Sequence, residues 1–99
     1  MKIHWSKLAL EDLDSIRRYI ALDSKRIADQ FASDLVKSIR KLRRFPEIGQ
    51  IVPEFKNPCI REIHYFNYRI LYRVTERQCE IVAILHASRN FSSIKFEFD

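Results

Sequence analysis

Residues 60–73 spell Ile-Arg-Glu-Ile-His-Tyr-Phe-Asn-Tyr-Arg-Ile-Leu-Tyr-Arg, and this stretch decides the fold. On both sides of Asn67 it is rich in β-branched and aromatic residues, which favour strands, while asparagine favours a turn. The pattern therefore predicts an antiparallel hairpin. Because side chains alternate across a strand, Arg69 and Arg73 face one side of this hairpin and Tyr68 faces the other.

The arginines of this hairpin suggest a binding surface. Guanidinium groups are costly to bury among apolar side chains, and they suit the phosphates or carboxylates of a partner. Arg61 lies in the first strand, on the side of Ile63 and Tyr65. For Arg69, in mid-strand, we favour a functional role, whereas for Arg73, near the strand end, we favour pairing with a glutamate. The glutamates considered for such pairing are Glu62, Glu76 and Glu80.

Two amphipathic helices are predicted before the hairpin. Apolar residues recur at helical spacing over residues 7–22, with Ser6 as N-cap, and over residues 27–42, with Ser24 as N-cap. The short link between them predicts an antiparallel helical pair. The second helix ends in a cationic cluster of Lys37, Arg40, Lys41, Arg43 and Arg44. Cations suit the C-terminal end of a helix dipole, so a solvated helix end is the preferred interpretation and a binding patch is the alternative.

The predicted element order is β-α-α-β-β-β, which is an α+β fold. Short strands are expected at Lys2–Trp5 and at residues 79–87, and residues 47–58 are expected to form an ordered crossing loop. A helical hairpin then packs on one face of a small, mostly antiparallel sheet, within a single domain of residues 1–99. Because two helices cover one face, the opposite face with its arginines is expected to stay free.

Composition favours a globular, basic protein. The 18 Lys and Arg outnumber the 13 Asp and Glu, and the net charge of +5 favours nucleic acid, the ribosome or an acidic protein as partner. No stretch approaches the roughly 18 apolar residues of a membrane span, and the N-terminal segment lacks the apolar core of a signal peptide. Cys59 and Cys79 are expected to be reduced, so we predict a cytoplasmic location with no membrane contact.

Sequence motifs for metals and cofactors are missing. The chain has no Gly-rich phosphate loop and no HExxH motif, and its histidines and cysteines lack ligand spacing, so we expect no metal and no cofactor. His86 ends the last strand near Arg89, and an ordinary pKa of about 6.5 would suit proton transfer in RNA cleavage. A hydrogen-bonded structural histidine is the preferred interpretation. Arg89 follows the strand beside Arg69 and Arg73, so these three are expected to converge.

Short segments along nearly the whole chain have the order and spacing that is typical of one protein superfamily. They are Trp5, Ser6, Ala9, Asp12, Leu13, Ile16, Tyr19, Ile20, and residues 45–49, 52–54, 61–63, 68–74 and 84–91. Together these segments resemble the RelE/ParE superfamily of toxins from type II toxin–antitoxin systems. The resemblance implies the β-α-α-β-β-β fold. It also implies a hetero-oligomer with an antitoxin whose extended C-terminal region wraps the toxin.

The superfamily has two kinds of target. RelE-like members cut messenger RNA on the ribosome, and the matching candidates here are Arg61, Arg69, His86 and Arg89. Two departures weaken this alternative, because the tail after Arg89 has neither Tyr nor His and the acidic Glu62 stands beside Arg61. Other segments, such as residues 85–91, look more like ParE-type toxins, which poison DNA gyrase without known chemistry of their own.

The leading hypothesis is therefore a ParE-like toxin that binds DNA gyrase and is neutralised by an antitoxin. The expected partner-binding residues are Arg61, Arg69, Arg73, Arg89 and Phe91. A ribosome-dependent mRNA endoribonuclease is the alternative. A degenerate member that survives as an antitoxin-binding repressor subunit is a third hypothesis.

Overall fold

Two helices and five strands form over residues 1–88, the part of the chain that the computed structural model describes. In chain order they are β1 (Lys2–Trp5), α1 (Lys7–Ala21), α2 (Lys25–Arg40), β2 (Gln50–Ile51), β3 (Ile60–Tyr65), β4 (Tyr68–Val74) and β5 (Gln78–His86), with a 3₁₀ turn at Lys41–Arg43. The sheet order is β1-β5-β4-β3-β2, with β1 parallel to β5 and the other pairs antiparallel. The predicted α+β fold is confirmed. Strand β2 lies within the stretch that was expected to be a crossing loop.

Both helices begin at the predicted serine caps. The amide of Ala9 donates to Ser6 Oγ over 3.0 Å, and the amide of Ile27 donates to Ser24 Oγ over 3.2 Å. Each bond satisfies an amide that the first turn of a helix leaves without a partner, which typically stabilises the helix by about 1 kcal/mol. Neither helix combines the length and hydropathy that crossing a bilayer needs, within the part of the chain described.

The larger core lies between the helices and one face of the sheet. Its buried members are Ala9, Ile16, Leu35, Ile39, Leu42, Ile70, Tyr72, Cys79, Ile81 and Ile84. Tyr72 is fully buried, and its hydroxyl accepts a hydrogen bond of 2.9 Å from the amide of Gly49. The hairpin thus points its alternate residues Tyr68, Ile70 and Tyr72 toward the helices, as the alternation in β4 predicts.

A β-bulge changes the alternation in the middle of β5. Leu71 pairs with Ala83, whereas the next residue, Tyr72, pairs with Ile81, so Val82 is the extra residue. A bulge of this kind shifts which side chains face each side of the sheet. Simple alternation predicts Ile81 and Ala83 on the same side. This prediction is wrong, because Ile81 belongs to the core under the helices and Ala83 to a core on the other face.

That second core covers much of the face that was expected to be free. Its buried members are Val52, Ile60, Leu71, Val82, Ala83 and Leu85, with Phe55 packed against them. Val52 and Phe55 come from the loop between β2 and β3, so this loop lies on the face opposite the helices. The prediction of an uncovered face is therefore wrong. The apolar side chains that β3, β4 and β5 direct to this face must also leave water, and the loop supplies their partners.

Side chains of the α1 region complete the hydrogen bonding of β5. In the described residues, β1 pairs with β5 only as far as Trp5. Beyond it, Ser6 Oγ donates to the carbonyl of Val82 over 2.8 Å, and Asp12 Oδ2 accepts from the amide of Ile84 over 2.9 Å. Backbone groups near the bulge are thus satisfied by two polar side chains rather than by a strand.

Candidate functional site

Arg69 lies at the centre of a charged network on the face opposite the helices. Its Nη1 and Nη2 atoms donate to the two carboxylate oxygens of Glu54 over 3.0 and 3.1 Å. Its Nε and Nη2 atoms donate to the two oxygens of Glu62 over 3.1 and 2.5 Å. The Arg69 side chain is only 13% exposed. Two bidentate carboxylates therefore hold the guanidinium group inside the protein.

Strand register explains half of this network. Arg69 lies directly opposite His64 in the β3–β4 pair, and Glu62 lies two residues from His64 on the same face. Diagonal neighbours of this kind are within reach of long side chains. His64 also contacts Glu62, with 2.5 Å between His64 Nε2 and Glu62 Oε1. The other carboxylate, Glu54, comes from the loop between β2 and β3.

Electrostatics in the network favour the charged forms. Burial raises the pKa of Glu62, but hydrogen bonds from Arg69 and His64 outweigh burial and leave that pKa below its ordinary value. The hydrogen bond from Arg69 is the largest influence on Glu54, whose pKa is also lowered. The pKa of Arg69 is raised because its hydrogen bonds to Glu54 and Glu62 stabilise the cation.

Arg61 faces the other side of the sheet and holds a loop. It lies opposite Tyr72 in the β3–β4 register, on the side covered by the helices. Its Nη1 donates to the carbonyl of Gly49 over 2.9 Å and to that of Glu47 over 3.3 Å, and its Nε donates to that of Pro58 over 3.1 Å. Arg61 thus binds backbone carbonyls both before and after β2. It lies on the opposite face of the sheet from Arg69.

Arg73 forms the pair that its position predicts. Its Nη2 lies 3.4 Å from Glu80 Oε1, on the neighbouring strand β5, and these two residues are directly opposite in the register. About a quarter of each side chain is exposed. The preferred interpretation of Arg73, pairing with a nearby glutamate, is confirmed.

His86 lies apart from the arginine network. It pairs with Tyr68 in the register, and the two rings contact each other with centroids 5.6 Å apart. Its Nδ1 accepts from the amide of Ser88 over 3.2 Å and lies 2.7 Å from Ser88 Oγ. The exposed His86 is therefore held by local hydrogen bonds.

Arg69 and Arg73 were expected to be free to meet a partner, and this expectation is wrong because both bind glutamates. Their convergence with Arg89 stays a prediction. Arg69 and Arg73 share one face but bind carboxylates, while Arg61 and His86 belong to the opposite face. Arg89 and Phe91 lie outside the described residues. Binding of a partner by any of the proposed residues stays a prediction.

Glu54 is the neighbour of Arg69 that the sequence did not predict. A two-residue turn at Phe66 and Asn67 pairs Tyr65 with Tyr68. In this register Glu62 lies diagonally across from Arg69. That signal was available in the sequence. Glu54 has no comparable local signal, because the loop that carries it reaches Arg69 only after it has packed on the second core.

Other reactive groups are separate from the network. Cys59 is exposed and Cys79 is buried, and both are free thiols. Burial raises the pKa of Cys79 to about 11, which makes this thiol a poor nucleophile at neutral pH. Within residues 1–88, no group of three His, Cys, Asp or Glu side chains is arranged to hold a metal ion.

Comparison with known proteins gives the family. The family model described as "ParE toxin of type II toxin-antitoxin system, parDE" matches residues 3–91. The chain belongs to the ParE toxin family. The resemblance to the RelE/ParE superfamily, and to its ParE-type branch, is therefore confirmed. This ParE-family protein is the toxin component of a type II toxin–antitoxin system, which implies an antitoxin partner.

Solved structures support the same fold. A chain of the chromosomal ParDE toxin–antitoxin system from P. aeruginosa superimposes with a TM-score of 0.73 and 23% sequence identity. The match covers 89% of this chain and 97% of that chain. At this identity the likeness is one of fold. The comparison with curated proteins gave no significant match.

Proposed function

We propose that this ParE-family toxin arrests growth by binding DNA gyrase and that it does not cut RNA. Membership of the ParE family supports the first part of the proposal, and the hydrogen bonding of Arg69 carries the second. All three of its nitrogen atoms donate to Glu54 or Glu62. An RNA phosphate at this site would meet two carboxylates with lowered pKa values, and like charges at such distances repel.

Within residues 1–88, the placement of the other nuclease candidates supports the same proposal. Ribonuclease chemistry needs an acid, a base and a cation within hydrogen-bond reach of one phosphate. Arg61 donates to loop carbonyls on the helix side of the sheet, and His86 is held by Ser88 on that side. Arg69 lies on the opposite face. These three side chains therefore do not surround a common point.

Gyrase inhibition is tested directly with the purified toxin. We expect toxin added to gyrase, ATP and relaxed plasmid to inhibit supercoiling or to trap cleaved DNA, and we expect the cognate antitoxin to reverse the effect. Unimpaired supercoiling at saturating toxin would contradict the proposal.

The same preparation should be tested on translating ribosomes. We expect toeprinting to show no cleavage at codon positions. Cuts that disappear in a folded Arg69→Lys variant would establish the endoribonuclease instead. Normal growth on expression without antitoxin would favour the third hypothesis, a repressor subunit without toxicity.

A further inference from the structure

A dense set of exposed cations lies at the end of α2, in the 3₁₀ turn that follows it and at the start of β1. We call this set the helix-end cations: Lys2, Lys37, Arg40, Lys41, Arg43 and Arg44, all of which are exposed. They surround Ile39 and Leu42, which are buried in the core beneath the helices. The buried residues fix the last turns of α2 on the protein, so the cations cover its outer surface.

Strand β1 brings Lys2 to the same surface. Lys2, Arg40 and Arg43 line one groove of about 350 Å³, together with Trp5. The backbone nitrogen of Met1 donates to the carbonyl of Arg43 over 3.0 Å, which ties β1 to the 3₁₀ turn. The groove is therefore built from two distant parts of the chain.

No ion pair within the described residues holds any of these cations. The ion pairs there join Arg17 and Arg18 to Asp14 or Asp29 in the helices. Those in the sheet hold His64, Arg69 and Arg73. The C-terminal end of a helix dipole offers only about half of a negative charge. A dipole-matched helix end explains one or two cations, and it does not explain six.

We propose that the helix-end cations bind the phosphate backbone of duplex DNA without reading its sequence. Residues 37–44 run through the last turn of α2, which rises 1.5 Å per residue, and the 3₁₀ turn, which rises about 2.0 Å, so they span about 12 Å. With Lys2 from β1, six cations lie along this surface, or one per roughly 2 Å. Duplex DNA presents about one negative charge per 1.7 Å of its axis. An extended peptide reaches at most one charge per about 3.3 Å, even if every residue is acidic. The density of positive charge therefore matches duplex DNA better than it matches an extended acidic segment.

This inference goes beyond gyrase binding. With this surface, the toxin would bind DNA as well as gyrase. When gyrase is bound to DNA, the toxin would contact both the enzyme and its DNA. The test uses free duplex DNA and no gyrase. Failure of the inference therefore leaves the gyrase proposal standing, and the reverse is also true.

The experiment measures fluorescence anisotropy of a labelled 25-bp duplex of arbitrary sequence with the purified full chain. We expect binding at 50 mM salt that weakens about 10²-fold at 200 mM, with a slope of log affinity against log salt near −4. Removal of two phosphate contacts in the R40Q/R43Q variant should lower the slope to about −2 and weaken binding about tenfold at 50 mM salt.

A matched variant separates position from net charge. K25Q/R26Q removes two exposed cations from the other end of the same helix. We expect it to bind DNA within about twofold of the unchanged protein. Circular dichroism and thermal unfolding confirm that both variants are folded.

Four results would overturn the proposal. The first is no DNA binding at 50 mM salt, and the second is equal weakening in both double variants, which would leave only net charge. The third is tighter binding of single-stranded RNA of equal length, which would assign the surface to RNA. The fourth is binding of poly-glutamate in preference to the duplex, which would assign it to an acidic protein.

Discussion

Two groups of cations in this toxin look alike in sequence and differ in the folded chain. The sheet arginines, Arg61, Arg69 and Arg73, lie in strands. Arg61 and Arg69 donate to carbonyls or carboxylates of their own chain, and Arg73 forms an ion pair. The helix-end cations form no ion pair within residues 1–88. The lesson is that the number of cations in a segment does not say which of them are available to a partner.

Geometry explains the difference. A strand places each side chain beside those of the neighbouring strands, so Glu62 and Glu80 come into contact with Arg69 and Arg73. Residues 37–44 contain no acidic residue, and helical spacing brings their cations next to one another. Pairing across a sheet therefore neutralises charge, whereas the end of α2 concentrates it.

Loss of Arg69 should have the largest effect and tests the comparison most directly. Arg69→Ala leaves Glu62, whose side chain is 6% exposed, without its cation, so the free energy of unfolding should fall by about 3–5 kcal/mol. Arg40→Ala, in the helix-end set, should change it by less than about 0.5 kcal/mol. Urea denaturation measures both. Similar small effects for the two variants would mean that the sheet arginines are not held by the fold.

Substitution of Gly49 tests how closely the loop that Arg61 binds is packed. A Cβ atom on Gly49 would lie 2.5 Å from the carbonyl oxygen of Glu62 and 2.6 Å from Tyr72 Oη, so the loop must move. Gly49→Ala should therefore lower the free energy of unfolding by about 1–3 kcal/mol, as overpacking does, and weaken the bond from Arg61. The neighbouring exposed residue gives the control, Gln50→Ala, which should be nearly neutral. A thermal melt unchanged by Gly49→Ala would show that the loop is not closely packed there.

Much of this arrangement follows from the sequence, and the rest depends on distant contacts. Ser6 and Ser24 mark helix starts because capping is local, and the alternation around Asn67 predicts the hairpin for the same reason. No local sequence pattern predicts the bulge at Val82. Because of this bulge, Ala83 faces the second core rather than the core under the helices. Once that core exists, the loop covers the face and brings Glu54 to Arg69. The site was mispredicted because a free face was assumed.

Acid should reduce the stability that the charged network of Arg69, Glu54 and Glu62 provides, and it should affect the helix-end cations less. The pKa values of Glu54 and Glu62 are lowered in the folded protein, so their contribution to stability is complete above their ordinary value of 4.5 and is lost as pH falls through the folded values. Urea midpoints should drop between pH 6 and pH 3. The drop should be smaller in Glu54→Gln, which removes one of these carboxylates. An equal drop in both proteins would place the acid sensitivity elsewhere, for example at Asp14, whose pKa is also lowered.

Salt should produce the smallest effect, and its sign distinguishes the two regions. The Arg69–Glu62 pair is nearly buried, so salt screens it little, whereas the exposed helix-end cations repel one another through water. Raising NaCl from 0.05 to 0.5 M should relieve this repulsion and increase the free energy of unfolding by roughly 0.5 kcal/mol, since like charges one helical turn apart cost a few tenths each. The increase should shrink in R40Q/R43Q and persist in K25Q/R26Q. If salt instead destabilised the protein, attractive surface pairs would outweigh the repulsion at the end of α2, and the contrast between the two groups of cations would lose its energetic basis.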